Sequence, residues 1–236
     1  MWYTDSVARV FLEGEWTEGA AELSADESHH LLHVLRLQEG DTVQVMNGRG
    51  ALGKAVLEKV QSKRAIVRVI ETSHSLDQSN IRMVFAVPKQ NALDFIIHRC
   101  TEVGVRGFQP LLTKHSRKPD SFNNERWQKV LREVCKQCEE LFLPELAMPM
   151  TLDAYLAQTK NTLVLCDEGD RSAHQKIQST GTIDVLVGAE GGWAVEEIAK
   201  LRRQGAISYG LGRNRLRAEM ASVAALILLK REIGES

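Results

Sequence analysis

Two glycine-bearing segments near the end of the chain hold the residue types best suited to chemistry. In the first, Ile183-Asp184-Val185-Leu186-Val187 runs into Gly188-Ala189-Glu190-Gly191-Gly192-Trp193. In the second, Ile207-Ser208-Tyr209-Gly210-Leu211 runs into Gly212-Arg213-Asn214-Arg215-Leu216-Arg217, with Glu219 just beyond. Glycine lets a bound molecule approach the backbone closely, and the N–H and C=O groups it leaves open can read a flat base by hydrogen bonding. Two such loops together make a candidate adenine-nucleoside pocket. The spacing rules out two other nucleotide loops. Gly-Ala-Glu-Gly-Gly-Trp is not G-x-G-x-x-G and falls late in the chain, and neither loop ends in the Gly-Lys-Ser/Thr of a P-loop. The pattern alone indicates a nucleoside or phosphate-containing ligand and leaves the reaction open.

The elements that must position these loops are legible from periodicity. From residue 81 onward IRMVFAV, VRGFQPLL, TLVLCDEG, IDVLVG and ISYGLG read as strands. Between and after them ALDFIIHRCTEVG, ERWQKVLREVCKQCEELF, VEEIAKLRRQG and AEMASVAALILLKRE show helical spacing, with Gly104 and Gly205 as stops. Continuous apolar strands alternating with helices predict an α/β domain with a parallel sheet buried on both faces. Such sheets bind ligands at the carboxyl ends of their strands, which is where both glycine loops begin. The first 70 or so residues differ. TVQVM and ALGKAVLEKV flank an Asn-Gly turn, RAIVRVIE makes a further strand, and DESHHLLHVLRLQEGD reads as a short amphipathic helix ending near Gly40. That set predicts a small β-barrel. The polar stretch SHSLDQSN (73–80) is the expected linker, giving a first domain over 1–73 and a second over 76–236.

Bulk properties narrow the class. The 30 Lys and Arg nearly balance the 31 Asp and Glu, so net charge does not announce a nucleic acid. Residues 31–70 are locally basic, with Arg36, Arg49, Lys54, Lys59, Lys63, Arg64 and Arg68 against Glu39, Asp41 and Glu58. That bias suits phosphate and suits a solvated strand face equally well. No apolar run approaches the roughly 20 residues needed to cross a bilayer. MWYTDSVARVFLEGEW lacks the basic-then-apolar pattern of a secretory signal, so a cytoplasmic location is expected. Cys100, Cys135, Cys138 and Cys166 make no disulfide framework. Cys135 and Cys138 read as one face of a helix, and His29, His30 and His33 as surface or packing residues, so no metal is expected.

LVGAEGGW followed by LGRNRLRAEMA resembles the paired C-terminal motifs of the SPOUT RNA methyltransferases. Within that class the chain is most similar to the bacterial family that methylates N3 of a uridine in 16S ribosomal RNA. HHLLHVLRLQEGDTVQVMNGRG is similar to that family's PUA-like domain and HRCTEVGV to its Q-K-x-x-E-L-G-V segment, so the likeness runs nearly end to end. The resemblance implies a C-terminal trefoil knot, bound S-adenosyl-L-methionine, a homodimer and ribosomal RNA as substrate. It implies a cofactor pocket lined by Leu165, Gly188, Glu190, Gly191, Leu211, Gly212 and Leu216. Glu190 reads equally well as an N-terminal charge for the helix over 194–204. Arg217 would stabilise charge on the uracil oxygens, and Glu219 would act as a base or orient Arg217. A salt bridge at a helix start is the alternative for both. Arg36, Arg49, Lys89, Arg99 and Arg215 are the candidate RNA contacts. Ala189, Met220, Ala92, His98 and His115 depart from the family's usual proline, threonine, basic residue, glutamine and arginine. Those departures keep open two alternatives: a different RNA base, or an RNA-binding assembly factor of the same fold without activity.

Overall fold

The computed structural model describes residues 7–76, 79–117, 124–167, 169, 177 and 181–235. They divide into two compact units. One comprises the described residues up to Leu76 together with Cys135–Leu143, and the other comprises Ser79–Val134 and Pro144 onward.

The first unit is built on a sheet of β1 (Arg9–Phe11), β2 (Gly19–Glu22), β3 (Thr42–Met46), β4 (Ala51–Gln61) and β5 (Arg64–His74), ordered β1-β3-β4-β5-β2. Alternation along the strands turns Val43, Val45, Ala55, Leu57, Val67 and Val69 into one core, where Val10, Leu12, Leu23 and Leu31 join them. Two register shifts interrupt the β4–β5 pair, the bulge geometry that bends long strands. At the predicted Asn-Gly turn, Asn47 Oδ1 accepts hydrogen bonds from the N–H groups of Arg49 (2.8 Å) and Ala51 (3.1 Å).

The helix expected to run toward Gly40 is shorter. α1 (Ala25–His29), capped by Ser24, passes into a π-helical turn over His30–Val34, and Arg36 then takes a left-handed φ of 58°. The extra residue in the turn breaks the 3.6-residue register. Leu31 thereby reaches the core while His33, Val34 and Leu35 stay outside.

Residues 135–143 lie with this unit because Cys135 packs against Phe11 and Met46, flanked by Leu141 and Leu143. Beside them Lys136 Nζ sits 3.3 Å from both carboxylate oxygens of Glu27, and Arg9 donates to the Lys136 carbonyl (3.0 Å) and pairs with Glu139 (3.0 Å). The Cys-x-x-Cys is therefore a packing feature. Burial pushes the Cys135 thiol up, and all four cysteines are free.

The second unit is a parallel sheet ordered β12-β10-β11-β6-β7-β8. Its strands are β6 (Ile81–Ala86), β7 (Gly107–Leu112), β8 (Glu145–Leu146), β10 (Thr162–Cys166), β11 (Ile183–Val187) and β12 (Ile207–Ser208), with β9 (Met150–Thr151) also on β7. Its helices are α2 (Gln90–Glu102), α3 (Asn124–Cys138, whose last turn belongs to the first unit), α4 (Leu152–Gln158), α5 (Val195–Arg203) and α6 (Ala218–Ile233). Gly104 and Gly205 follow α2 and α5 at positive φ, as their spacing predicts. Lys230 Nζ caps the end of α2 from α6, 3.1 Å from the Val103 carbonyl. After β12, at one edge, the chain crosses back so that α6 packs on α2, β6 and β11. Among the described residues no helix is long and apolar enough to cross a membrane.

β11 is buried throughout, yet its second residue is a carboxylate. Asp184 is fully buried and accepts from Arg82 Nε (2.8 Å) and Nη2 (2.7 Å), the Tyr155 hydroxyl (2.5 Å), Thr159 Oγ1 (3.1 Å) and Asn161 Nδ2 (3.1 Å). A buried charge needs such saturation, because each missing donor leaves its desolvation uncompensated. Tyr155→Phe removes one hydrogen bond to a charged group and keeps the ring. Urea unfolding should find the variant about 1.5–3 kcal/mol less stable.

Candidate functional site: a cleft at the carboxyl ends of the sheet

At the carboxyl ends of β6, β10 and β11 the second unit opens a cleft of about 1050 Å³. Its volume lies near the upper end of the roughly 300–1,000 Å³ typical of small-molecule sites. The first glycine loop leaves β11 and closes a tight turn in which Gly192 N–H donates to the Ala189 carbonyl at 2.9 Å. Gly192 has φ +69°, and a Cβ on Gly188 would sit 3.0 Å from the Gly192 carbonyl carbon, so a side chain at either position would strain or crowd the turn. The second loop needs Gly212 for its φ of +108° and delivers Leu216 and Arg217 to the start of α6.

Neighbouring elements hold the first loop from both sides. The Glu190 carboxylate accepts from Lys89 N–H (3.2 Å) at the start of α2. It thus serves α2 rather than the helix that follows it in sequence. That following helix, α5, is capped by Glu197, whose two oxygens accept from Ala194 N–H (2.9 Å) and from Lys114 N–H (2.8 Å). His115 Nδ1 lies 3.2 Å from the Gly192 carbonyl, and a Cβ on Gly191 would meet His115 at 3.1 Å. The departure from arginine at this position therefore places an imidazole against the loop.

Gly188, Glu190, Gly191, Leu211, Gly212, Leu216, Arg217, Glu219, Lys89 and Arg215 all line the cleft. Leu165 does not. It is wholly buried in the sheet core and its carbonyl accepts from Tyr209 N–H (2.9 Å). The cleft is met one and two residues later, by Cys166 and Asp167, because β10 reaches the rim only at its end. Burial pushes the Cys166 thiol up to about 12, so it stays neutral and is no nucleophile. Among the described residues the side chains of Arg217 and Glu219 have no hydrogen-bond or ion-pair partner, so the salt bridge that would explain them structurally is not formed. Met220 lies off the cleft, 45% exposed on α6.

The other basic candidates lie elsewhere. Arg99 is on the outer face of α2 with both Glu102 oxygens at 2.7 Å from Nη1. Arg36 and Arg49 belong to the first unit, Arg36 exposed and Arg49 3.8 Å from Glu15. Arg64 and Arg68 also face acids, Glu22 (3.9 Å) and Glu58 (2.7 Å), so part of the local positive bias over 31–70 is neutralised. Periodicity missed the wall formed by Gln90, Asn91 and Ala92. These residues follow β6, and only the pairing of β6 with β11 brings them to the glycine loops. Among the described residues no three His, Cys, Asp or Glu side chains form a group able to hold a metal.

Comparison with known proteins decides the family. The RNA methyltransferase domain matches residues 61–230, and the RNA methyltransferase PUA domain matches residues 23–70. The chain belongs to the RNA methyltransferase family. A Synechocystis relative named ribosomal RNA small subunit methyltransferase E is 32% identical over 219 residues, 89% of this chain and 72% of its own length. The Rickettsia conorii protein of that name is 27% identical, across 92% of this chain and 93% of its own. In fold, this RNA methyltransferase resembles the ribosomal RNA small subunit methyltransferase E of Neisseria gonorrhoeae, crystallised bound to S-adenosyl methionine. The TM-score is 0.88 at 22% identity, over 95% of this chain and 97% of that one. The α/β unit has the SPOUT trefoil-knot fold, with the PUA-like β domain ahead of it.

The brace on the first loop can be tested by titration. The hydrogen bond from Lys114 Nζ to Glu196 (2.8 Å) holds that carboxyl below the usual carboxylate range. A depressed carboxyl contributes stability above its unfolded pKa and loses it as pH falls through the folded one. In Lys114→Ala the Glu196 midpoint, followed by carboxyl-carbon NMR, should rise toward the ordinary value.

Proposed function

We propose that this protein transfers the methyl group of S-adenosyl-L-methionine to N3 of a uridine in small-subunit (16S) ribosomal RNA, working in the cytoplasm as a homodimer. The observation that supports this most is the cleft itself. Two glycine loops present backbone groups at the ends of β11 and β12, on either side of β10, and the Arg217 and Glu219 side chains, without partners among the described residues, open into the same space. The family and the names of its relatives point to the same chemistry.

The residues present fit the cofactor. The backbone at Gly188, Gly191, Leu211 and Gly212 can take the adenine edge, and the side chains of Leu211 and Leu216, both half-buried, can take its faces. When bound, S-adenosylmethionine supplies a methyl group made electrophilic by its sulfonium. The work left to the protein is placement and proton handling. Uridine N3 becomes nucleophilic once it loses its proton, and an in-line approach makes orientation worth much of the rate. Arg217, exposed at the N-cap of α6, is placed to stabilise negative charge spreading onto the uracil oxygens. Glu219, half-buried in the first turn of α6, is the carboxylate available to take the proton. Arg215 and Lys89 at the mouth carry the charge expected of phosphate contacts, and Arg36 and Arg49 supply it on the β domain.

α6 supports the dimer. Its buried side, Ala218, Ser222, Ala225, Leu226 and Leu229, packs inward, while Met220, Ile227 and Leu228 are 45%, 49% and 39% exposed. An apolar stripe at helical spacing on an otherwise polar surface marks an interface, and a second copy offers a matching stripe.

Calorimetry with S-adenosylmethionine should show binding that Gly212→Val weakens about 10-fold or more, because φ +108° strains any L side chain by roughly 1–3 kcal/mol. Arg217→Ala should leave that binding within a few-fold and cut methyl transfer to small-subunit RNA about 10²–10³-fold. Transfer to a different nucleotide would refute the uridine assignment, and binding without transfer to any RNA would refute the enzymatic one. Light scattering should give twice the chain mass for the parent and the single mass for Ile227→Asp.

A further inference from the structure

The cleft contains a carboxylate that none of the roles above uses. Asp167 is the first residue after β10, and β10 lies between β12 and β11, the strands that feed the two glycine loops. Asp167 therefore occupies the middle of the rim, with one loop on either side. Its side chain is only 12% exposed, whereas Arg215, Arg217 and Lys89 at the mouth are open to water. The sheltered carboxylate thus stands beside cations that are open to water.

Among the described residues that carboxylate has no hydrogen-bond donor. Arg202 Nη2 forms a long ion pair with Oδ2 at 3.9 Å, too far for a hydrogen bond, and the described residues offer it no other partner. A sheltered carboxylate with open acceptor positions favours a ligand that donates to it. Gly169 keeps one side of it clear, since a Cβ there would come within 3.0 Å of Oδ2.

We propose that Asp167 receives the two ribose hydroxyls of the bound cofactor and so helps select S-adenosylmethionine, an inference that rests on the cofactor reading above. S-adenosylmethionine has three groups of donors: the adenine amino group, the ribose diol and the α-ammonium. The adenine is assigned to the loop backbones, and the ribose is the central piece that joins the adenine to the sulfonium arm. A residue centred between the loops meets the central piece. Two adjacent hydroxyls match the two oxygens of one carboxylate, a pairing that acidic residues also make with ribose in dinucleotide-binding folds. Asp167 acts here as a specificity-determining contact and takes no part in the transfer.

The test is a cycle of calorimetric titrations. The parent and Asp167→Ala are each titrated with S-adenosylmethionine and with its 2′,3′-dideoxy analogue, and circular dichroism checks that the variant folds. The parent should lose about 10- to 100-fold in affinity when the hydroxyls are removed, as expected for hydrogen bonds to a charged group. Asp167→Ala should lose a similar factor toward the natural cofactor and almost nothing further toward the analogue. Asp167→Asn, which keeps the shape but not the charge, should fall between. If Asp167→Ala binds S-adenosylmethionine as the parent does, or if the variant and the analogue each weaken binding and their effects add in full, the ribose assignment is overturned while the cofactor reading stands. Failure of the parent to bind S-adenosylmethionine would overturn both.

Discussion

Parallel pairing aligns the carboxyl ends of β10, β11 and β6, and every group in the cleft owes its position to that alignment. In register, Cys166 stands beside Val187, which stands beside Phe85. The chain segments that leave these strands therefore emerge side by side, although some 20 to 100 residues separate them in sequence. Once the register is fixed, short-range interactions complete the site. Glu190 reaches back to the start of α2, Glu197 ties α5 to Lys114, and His115 backs the Gly191–Gly192 turn. Each is a hydrogen bond between the segments that follow two different strands, so the wall of the cleft is stitched across strands rather than along the chain.

The sheet separates stability from chemistry by putting them at opposite ends. Asp184, near the amino end of β11, is buried and saturated with five donor contacts, while Asp167, just past the carboxyl end of β10, is nearly as buried and has none among the described residues. The first is a closed structural network. The second is a group left open at the place where ligands of this sheet type bind. Two buried aspartates a short distance apart in sequence are thus distinguished by what donates to them, a difference that residue type alone does not reveal.

That contrast also explains what the sequence disclosed. The glycine loops, the helix stops at Gly104 and Gly205 and the apolar strands were legible because each is a local pattern enforced by backbone conformation or burial. Ten of the candidate cofactor, catalytic and RNA-contact residues line the cleft because they lie in or beside those patterns or in matched motifs. Leu165 stops one residue short of the cleft, which Cys166 and Asp167 reach, since a continuous apolar run does not mark where a buried strand leaves the core. The wall from Gln90 to Ala92 and the role of Glu190 were hidden for another reason: both depend on β6 lying beside β11, and strand order is not written in any one segment. The π-helical turn after α1 escaped notice because HHLLHVL fits ordinary helical spacing as well as the wider turn.

The return of Cys135–Leu143 to the first unit has a consequence for the order of assembly. Phe11 and Met46 meet Cys135, and Glu27 meets Lys136, only after the chain has been made through the first half of the second unit. At roughly 5–20 residues per second, synthesis from residue 76 to residue 143 takes several seconds. During that interval the β domain holds an open apolar seam at Phe11 and Met46. The β domain is therefore made before the α/β unit but cannot be finished before it, and a fragment cut at the linker would carry the same unfinished surface permanently.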